Sequence, residues 1–247
     1  MSFETAPMKA GRYAMSVAQT TGDVESAQVL RARCFGLAQP LDTDDLDALC
    51  DHILIHDTQC AALVSCFRML PITGSSIDTS YAARYYDIAR LAAFPGQLLE
   101  MGRFCVDPLR RDPDILRLAW AAMTAYVDAR DVTFLFGCTS FKGTDPTRYT
   151  DAFAYLHGTA RAPECWAPGL KACEALSLQP APGHSIEKRR ALAQMPPLLR
   201  TYLNMGGRVS DHAVIDREMD TLHVFTGVEI AAIPPIRQRL LRALHKA

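Results

Sequence analysis

An acid and an arginine lie inside an otherwise apolar run, Leu98–Val106, which reads Leu-Leu-Glu-Met-Gly-Arg-Phe-Cys-Val. A short apolar run of this kind predicts a largely buried strand. Burying the charges of Glu100 and Arg103 costs free energy unless they are paired, hydrogen-bonded or used in chemistry. Because side chains alternate along a strand, the two would face opposite sides unless a bulge at Gly102 turned both to one face. We therefore expect a functional site on this strand.

The segments around this strand follow the order strand, basic turn, helix, strand. The turn is Val106–Pro113, and the apolar spacing of residues 114–130 predicts a helix. A second buried strand follows at Val132–Phe141. This order indicates the α/β class.

The rest of the chain predicts further elements without an internal repeat. We expect additional strands at 12–19, 52–56, 60–70, 213–216 and 222–228, and helices at 24–35, 149–157, 198–205 and 236–247. The strands at 52–56 and 60–70 are expected to form a hairpin. Residues 81–90 carry tyrosines near helical spacing, and residues 161–197 hold six prolines, which predict an extension partly without regular structure.

Composition excludes several classes of protein. The net charge of −1 gives no general attraction to nucleic acid, so we expect no nucleic-acid partner. The eight cysteines form no Cys-x-x-Cys pair, and we expect neither a metal site nor disulfides. Residues 1–7 show no basic and apolar signal-peptide pattern, and no apolar run reaches membrane-spanning length. These features predict a reduced, cytoplasmic protein.

Several segments, taken in order, resemble one known family. They are Leu30–Phe35, Asp44–Asp57, Glu100–Arg103, Phe136–Phe141, Pro196–Gly206 and Ala213–Phe225. Together they resemble the ornithine–acyl-carrier-protein N-acyltransferases of the Gcn5-related N-acyltransferase superfamily, which are relatives of the acyl-homoserine-lactone synthases. The resemblance implies a mixed central sheet with splayed fourth and fifth strands, flanked by helices. It also implies an acyltransferase core at 1–150 and a Pro-rich helical extension at 151–247 that, with the last strands, completes the same domain.

The same resemblance implies a reaction. A 3-hydroxyacyl chain passes from acyl carrier protein to the α-amine of L-ornithine, giving a lyso-ornithine lipid, with Glu100 as general base and Arg103 beside it. Backbone N–H groups near Phe104, Cys105 and Val106 would hold the developing oxyanion. No bound cofactor is expected, since the donor is the 4′-phosphopantetheine-linked carrier.

The turn after the strand bears on the donor. Asp107–Asp112 contains no glycine, whereas acetyl-CoA-dependent members of the superfamily usually hold the pyrophosphate in a glycine-containing turn. A carrier-protein arm has only one phosphodiester, which Arg110 and Arg111 would meet at the start of the helix. The expected docking face for the acidic carrier consists of the basic residues Arg110, Arg111, Arg117, Lys142 and Arg148.

The acceptor needs a partner for its carboxylate and one for its side-chain ammonium. Arg31 is the candidate for the first, and Asp44, Asp47 or Asp51 for the second. The family pattern adds further substrate-binding candidates, which are Phe35, His52, Thr139 and Ser140. On residue type alone, the aspartates also fit helix caps and surface positions, and His52 also fits a structural histidine.

Alternatives remain open from the sequence. One is an N-acyltransferase with another amino-acid acceptor, or a signal synthase of the acyl-homoserine-lactone type. A second is a non-catalytic module that binds the carrier or a membrane. The basic, amphipathic helix expected at 236–247 fits either peripheral contact with the inner membrane or packing on the sheet with a solvated basic face.

Overall fold

A computed structural model describes residues 8–110 and 112–246, with side chains described up to residue 243. In chain order, the strands are β1 Met8–Ala10, β2 Tyr13–Val17, β3 Asp51–Asp57, β4 Leu63–Ile72, β5 Tyr86–Asp87, β6 Gln97–Val106, β7 Val132–Lys142, β8 Gly169–Leu170, β9 Ala175–Ser177, β10 Arg208–Val209, β11 His212–Asp216 and β12 Thr221–Glu229. The helices are α1 Thr21–Phe35, α2 Ala82–Tyr85, α3 Pro113–Ala129, α4 Thr150–Thr159, α5 Lys188–Gln194, α6 Pro197–Asn204 and α7 Pro235–Lys246.

The described residues form two compact units, each made of separate chain segments. The first unit contains the chain up to Pro71, Leu99–Val132 and the chain from Pro235, and the second contains Ile72–Leu98 and Thr133–Pro234. Residue 150, where the sequence suggested a division, lies inside the second unit.

In the first unit a sheet separates two sets of helices. Its strands run in the order β1-β2-β3-β4-β6, and the pairs from β1 to β4 are antiparallel. Leu54 of β3 and Cys66 of β4 face each other and pack against Ala27 and Leu30 of α1. The opposite face carries α3, whose Tyr126 hydroxyl donates a hydrogen bond to Asp51 of β3. The alternation of β3 thus sends His52 and Leu54 to the α1 face and Asp51 to the α3 face.

In the second unit the strands run β7-β12-β11-β9, with antiparallel pairs, and β10 also pairs with β12. One face of this sheet is apolar, because Phe141, Leu222 and Val224 pack with residues of α4, α5 and α6. The other face carries Tyr86, whose ring contacts Phe225. The small pair β5–β8 forms a separate sheet.

Most of the expected elements are confirmed, and the differences have physical causes. The β3–β4 hairpin and the helices α1, α3, α4, α6 and α7 lie where the apolar spacing predicts them. The helical spacing of the tyrosines in residues 81–90 matches the structure only in part, because the four-residue helix α2 is followed directly by strand β5. The short strand β1 was missed, because it is specified by pairing with β2 rather than by its own pattern. Among the described residues, no helix has the length and apolarity needed to cross a membrane.

Candidate active site

Three arginines and three aspartates meet on the α1 face of the first unit. Arg31 of α1 donates from Nε to Asp42 Oδ2 at 2.8 Å and from Nη1 to Asp47 Oδ1 at 2.8 Å. Its Nη2 donates to Asp47 Oδ2 at 2.9 Å and also to the carbonyl oxygen of Asp42. Only 1% of the Arg31 side chain is exposed, so every nitrogen of this buried guanidinium is used by the protein itself.

Arg68 and Arg103 complete this set from strands β4 and β6. Arg68 binds Asp47 Oδ1 at 2.8 Å and Asp44 Oδ2 at 3.0 Å. Arg103 lies 2.9 Å from Asp42 Oδ2 and 3.2 Å from Asp44 Oδ2. We call the six residues Arg31, Arg68, Arg103, Asp42, Asp44 and Asp47 the arginine–aspartate cluster. Its formal charges balance, which is what allows so many ions to be buried together.

The loop after α1 fixes the positions of the Asp44 and Asp47 carboxylates. Asp44 is the N-cap of a 3₁₀ helix at Asp45–Leu49, accepting from the Leu46 N–H at 2.8 Å, and Asp47 Oδ2 accepts in turn from the Asp44 N–H at 3.3 Å. This reciprocal capping satisfies backbone donors and fixes both side chains. The sequence allowed these aspartates to be helix caps at the surface. Asp44 is indeed a helix cap, but its side chain is only 4% exposed, so the surface position is wrong.

Electrostatics hold Asp44 and Asp47 ionised. Burial alone would raise the pKa of Asp47, but hydrogen bonds from Arg31 and Gln28 and the arginine charges hold it well below its usual value. Burial would also raise the pKa of Asp44, but the hydrogen bond from the Leu46 N–H and the nearby Arg68 outweigh it. The pKa of Asp44 is therefore lowered to about 2. His52 places Nε2 2.9 Å from the carbonyl oxygen of Asp47, and burial lowers the pKa of its imidazole. His52 therefore supports the loop as a neutral residue.

Glu100 lies on β6, three residues before Arg103 of this cluster, and is only 4% exposed. The charge of Glu100 acts on the Cys50 thiol. Burial raises the pKa of this thiol to about 12; the charge of Arg68 opposes the rise, and the charge of Glu100 adds to it. Cys50 thus lies within electrostatic range of both Arg68 and Glu100. A buried carboxylate on the strand predicted from the sequence is suited to take a proton from a bound group.

The backbone of β6 is irregular next to Glu100. The sequence suggested a bulge at Gly102, and the structure places the irregularity at Arg103, whose φ of 53° lies in the left-handed region. This conformation costs a non-glycine residue about 1–2 kcal/mol. The ion pairs of Arg103 with Asp42 and Asp44 help to maintain it.

Other candidate residues of the first unit lie outside the cluster. Asp51 accepts from Tyr126 at 2.6 Å and from Arg130 at 3.1 Å on the α3 face, away from Asp47. Phe35 packs with the apolar α1 core, which includes Cys105, and Phe104 contacts Phe67 at 5.6 Å between ring centroids. The structure therefore groups Arg31, Asp44, Asp47, His52 and Arg103, and places Asp51, Phe35, Phe104 and Cys105 elsewhere.

The backbone and thiols near Cys105 have structural partners. The carbonyl oxygen of Cys105 accepts from Ser65 at 2.7 Å, and that of Val106 accepts from the Cys34 thiol at 3.5 Å. The Cys105 sulfur lies 3.5 Å from Cys66, and its surroundings raise the pKa of the Cys105 thiol well above its usual value. A thiolate nucleophile is thus disfavoured here.

The basic turn leads into a capped helix. Asp112 accepts from the Asp114 N–H at 3.0 Å as the N-cap of α3, with Pro113 in the first turn. Arg110 lies 3.3 Å from Asp57 and keeps 31% of its side chain exposed, and Arg117 pairs with Asp114 at the surface. Arg111 lies outside the described residues.

The candidates on β7 belong to the second unit. Thr139 is buried and its hydroxyl lies 3.0 Å from that of Thr226, while Ser140 is exposed. The Arg148 guanidinium lies over the Tyr149 ring at 5.7 Å, and Lys142 is exposed. In the part of the chain that is described, no set of His, Cys, Asp and Glu side chains is arranged to hold a metal ion.

Sequence reasoning missed Arg68, Asp42 and Gln28. Arg68 interrupts the apolar run of β4 in the same way that Arg103 interrupts β6, so the rule applied to one strand would have found the other. Gln28 and Asp42 give no such signal, because each becomes a cluster residue only when the loop folds back on α1.

Comparisons with known proteins identify the family of this chain. A family model described as an acetyltransferase (GNAT) domain matches residues 28–121. The chain is 30% identical over 242 residues to the L-ornithine N(alpha)-acyltransferase of Brucella abortus, covering 90% of this chain and 86% of the relative. It is 30% identical over 238 residues to the protein of the same name from Rhodobacter capsulatus, covering 90% and 91%.

Solved structures agree at the level of the fold. The structure of FeeM, an N-acyl amino acid synthase from uncultured soil microbes, matches with a TM-score of 0.51 and 10% identity, covering 98% of each chain. At this identity the likeness shows a shared fold alone. Together with the matching family model, it identifies the α/β architecture as the GNAT fold.

Proposed function

The chain belongs to the family of L-ornithine N(alpha)-acyltransferases, and we propose that it transfers an acyl group to the α-amine of L-ornithine. The observation that carries this proposal is the relationship to enzymes of that name over 90% of the chain. It is supported by the buried Glu100 on β6, beside a charge-balanced cluster built from α1, the following loop, β4 and β6.

The chemistry is direct transfer without a covalent enzyme intermediate. Glu100, directly or through a water molecule, removes a proton from the ammonium so that the free amine attacks the thioester carbonyl carbon. The tetrahedral intermediate places its negative oxygen against backbone N–H groups of β6, for which Phe104 to Val106 are the candidates. Attack forms the carbon–nitrogen bond, and the nitrogen of the intermediate then loses a second proton. Collapse restores the carbonyl and breaks the carbon–sulfur bond; one of the two protons goes to the thiolate and the other is released to solvent.

The proposed donor is a 3-hydroxyacyl chain on the 4′-phosphopantetheine arm of acyl carrier protein. The N-terminus of α3 is already capped by the Asp112 carboxylate, with Asp114 in the first turn, and this disfavours a pyrophosphate there. A single phosphodiester would instead contact Arg110, which is partly exposed at the turn. The exposed Arg117, Lys142 and Arg148 remain candidates for contacts with the acidic carrier.

We also propose peripheral contact of α7 with an anionic membrane. In this helix Ile236 and Leu240 are exposed at 65% and 54%, so these apolar residues do not pack on the protein. Arg242 is instead paired with Asp128 of α3, while Arg237 and Arg239 are exposed. Sedimentation with anionic vesicles should be lost in an Ile236→Ser/Leu240→Ser variant, and equal binding of the variant would contradict the proposal.

The function is tested by incubating the purified chain with 3-hydroxyacyl carrier protein and a panel of free amino acids, with products read by mass spectrometry. We expect N-acyl-ornithine that requires the carrier-linked donor and is not formed at a comparable rate from the corresponding acyl-CoA. A product with a different amino acid would replace the acceptor. Absence of product with every amine would contradict the proposal.

Glu100→Gln tests the base. The amide cannot accept the proton, so kcat should fall by roughly 10²- to 10⁴-fold while the fold is kept. Glu25→Gln, an exposed acid on α1, is the matched control and should retain activity. Unchanged turnover of Glu100→Gln would remove Glu100 as the base.

A further inference from the structure

Two loops of the first unit place arginines around one buried carboxylate. Asp57, the last residue of β3, is 1% exposed. Arg12 of the β1–β2 turn and Arg110 of the turn after β6 each lie 3.3 Å from its Oδ2. Both arginine side chains stay partly exposed, at 39% and 31%. Because two cations share one anion, these three residues carry one positive charge in excess.

A third arginine joins the same turn through Asp107. Arg33, in the last turn of α1, donates from Nη2 to Asp107 Oδ2 at 2.9 Å, and 56% of its side chain is exposed. Asp107 Oδ1 accepts from the Leu109 N–H at 3.0 Å, and the Asp107 carbonyl oxygen accepts from the Arg110 N–H at 2.8 Å. The Asp107 N–H donates to the carbonyl oxygen of Val64 at 2.8 Å. These bonds fix the turn against α1 and β4.

An apolar side chain projects from this turn. Leu109 is 87% exposed, more than any other large apolar side chain in the part of the chain that is described. Single exposed leucines are common, so this exposure alone indicates little. Here, however, the turn that presents Leu109 also holds Arg110 and is bonded to Arg33 through Asp107. Arginine is enriched in protein interfaces, and an apolar side chain among arginines adds area that a partner can bury.

The carboxylates of this region are less accessible than its guanidiniums. Asp57 is buried and Asp107 is largely buried. Asp112 caps α3, and Asp114 pairs with Arg117. A partner therefore meets mainly guanidinium groups, which exposed carboxylates would complement. A lipid surface fits less well, because one exposed leucine provides little apolar area for insertion.

We propose that the turn surface, formed by Arg12, Arg33, Leu109 and Arg110, docks the acidic protein that carries the acyl chain. The inference deepens the proposed function and rests on it for the identity of the donor. Leu109 and Arg110 follow closely after Phe104–Val106, the backbone proposed to face the thioester. A carrier bound there has its arm at the end of the strand on which transfer takes place. All four residues belong to the first unit, so this surface does not include the β7 candidates of the second unit.

The test compares two donors that bear the same 3-hydroxyacyl chain, one on the carrier protein and one on free pantetheine. With ornithine as acceptor, the double variant Arg33→Gln/Leu109→Ser should raise KM for the carrier-linked donor by roughly ten-fold, because a charge contact and an apolar contact are lost. Its kcat/KM with acyl-pantetheine should equal that of wild type, since this donor has no protein surface to dock. High salt should narrow the difference between wild type and Arg33→Gln, because exposed charges are screened.

The matched controls remove an arginine and a leucine of similar exposure elsewhere. Arg242→Gln loses an exposed ion pair with Asp128 in the same unit, and Leu170→Ser loses an exposed leucine of the second unit. Both should keep the wild-type KM for the carrier-linked donor. An unchanged KM in the double variant overturns the inference. An equal loss of kcat/KM with both donors also overturns it, because the residues would then act on the fold or the site rather than on docking.

Binding separates this inference from the proposed function. If wild type acylates no amine from either donor, the proposed function fails, and titration with fluorescently labelled carrier protein that bears the phosphopantetheine arm still decides the docking. Saturable binding by wild type that is weakened roughly ten-fold in the double variant supports the inference. No binding by wild type, or equal binding by the two proteins, overturns it. Loss of binding to anionic vesicles with carrier binding unchanged would assign the turn surface to lipid and also overturn it.

Discussion

The arginine–aspartate cluster and a second cluster, formed by Asp216 of β11 and His223 of β12, are both buried and polar, but they differ in how far their polar groups are paired. In the first, each of the three carboxylates is paired with guanidinium groups, and the Arg31 guanidinium makes a bond from every nitrogen. In the second, Asp216 lacks a cation within the described residues and His223 Nε2 lacks a donor. A compensated set fixes a loop and a strand, whereas an uncompensated set keeps buried polar atoms whose hydrogen-bonding or pairing capacity is unused.

The difference also changes how the substrate-binding predictions are understood. Arg31 was a candidate for the acceptor's carboxylate, yet its guanidinium is engaged by Asp42 and Asp47. Asp44 and Asp47 were candidates for the ammonium, yet each is paired with arginines. Their substrate roles stay predictions, and the geometry favours a positioning role that holds β6 and Glu100.

The largest effect on stability is expected from Arg31→Met. Removing the guanidinium leaves buried carboxylates uncompensated, which should lower the free energy of unfolding by about 3–5 kcal/mol. Denaturant unfolding measures this. The control is Arg33→Met on the same helix. The Arg33 side chain is 56% exposed, so its ion pair with Asp107 should contribute at most about 1 kcal/mol. Equal losses of unfolding free energy in the two variants would show that the buried ion pairs of Arg31 stabilise the fold no more than the exposed pair of Arg33.

A smaller effect is expected from acid. The folded-state pKa of Asp44 is about 2 and that of Asp47 is also lowered, both below the unfolded value of about 3.9. The unfolded chain therefore binds more protons in this range, so the stabilisation is complete above pH ~4 and is lost as the pH falls towards ~2. Unfolding free energies measured from pH 5 to pH 2 should show this fall. A flat profile would contradict the pairing.

The smallest effect is expected from Tyr126→Phe on the opposite face of the sheet. The tyrosine hydroxyl donates to Asp51 at 2.6 Å, but Asp51 keeps contact with solvent and with Arg130. Loss of this bond should cost about 1 kcal/mol. Turnover should be unchanged, because Asp51 lies away from the arginine–aspartate cluster. A large loss of activity would return Asp51 to the candidate site.

Local patterns were enough to predict most of the fold, because apolar spacing specifies α1, α3 and the long strands directly. They also located Glu100 and Arg103, since a charge in an apolar strand is visible in a short window. The rest depends on distant chain segments. Asp42 meets Arg103 across some sixty residues of chain, and Tyr86 meets His223 across a separation of 137. No window of sequence contains such pairs.

The comparison is tested most directly by making one substitution in each cluster and measuring unfolding in denaturant. Asp47→Asn should lower the free energy of unfolding by about 3–5 kcal/mol, because it leaves buried arginines without their partner. Asp216→Asn keeps an acceptor for the Met219 N–H and removes an uncompensated charge, so it should leave stability unchanged within about 0.5 kcal/mol or raise it. A loss of several kcal/mol in Asp216→Asn, equal to that in Asp47→Asn, would contradict the account.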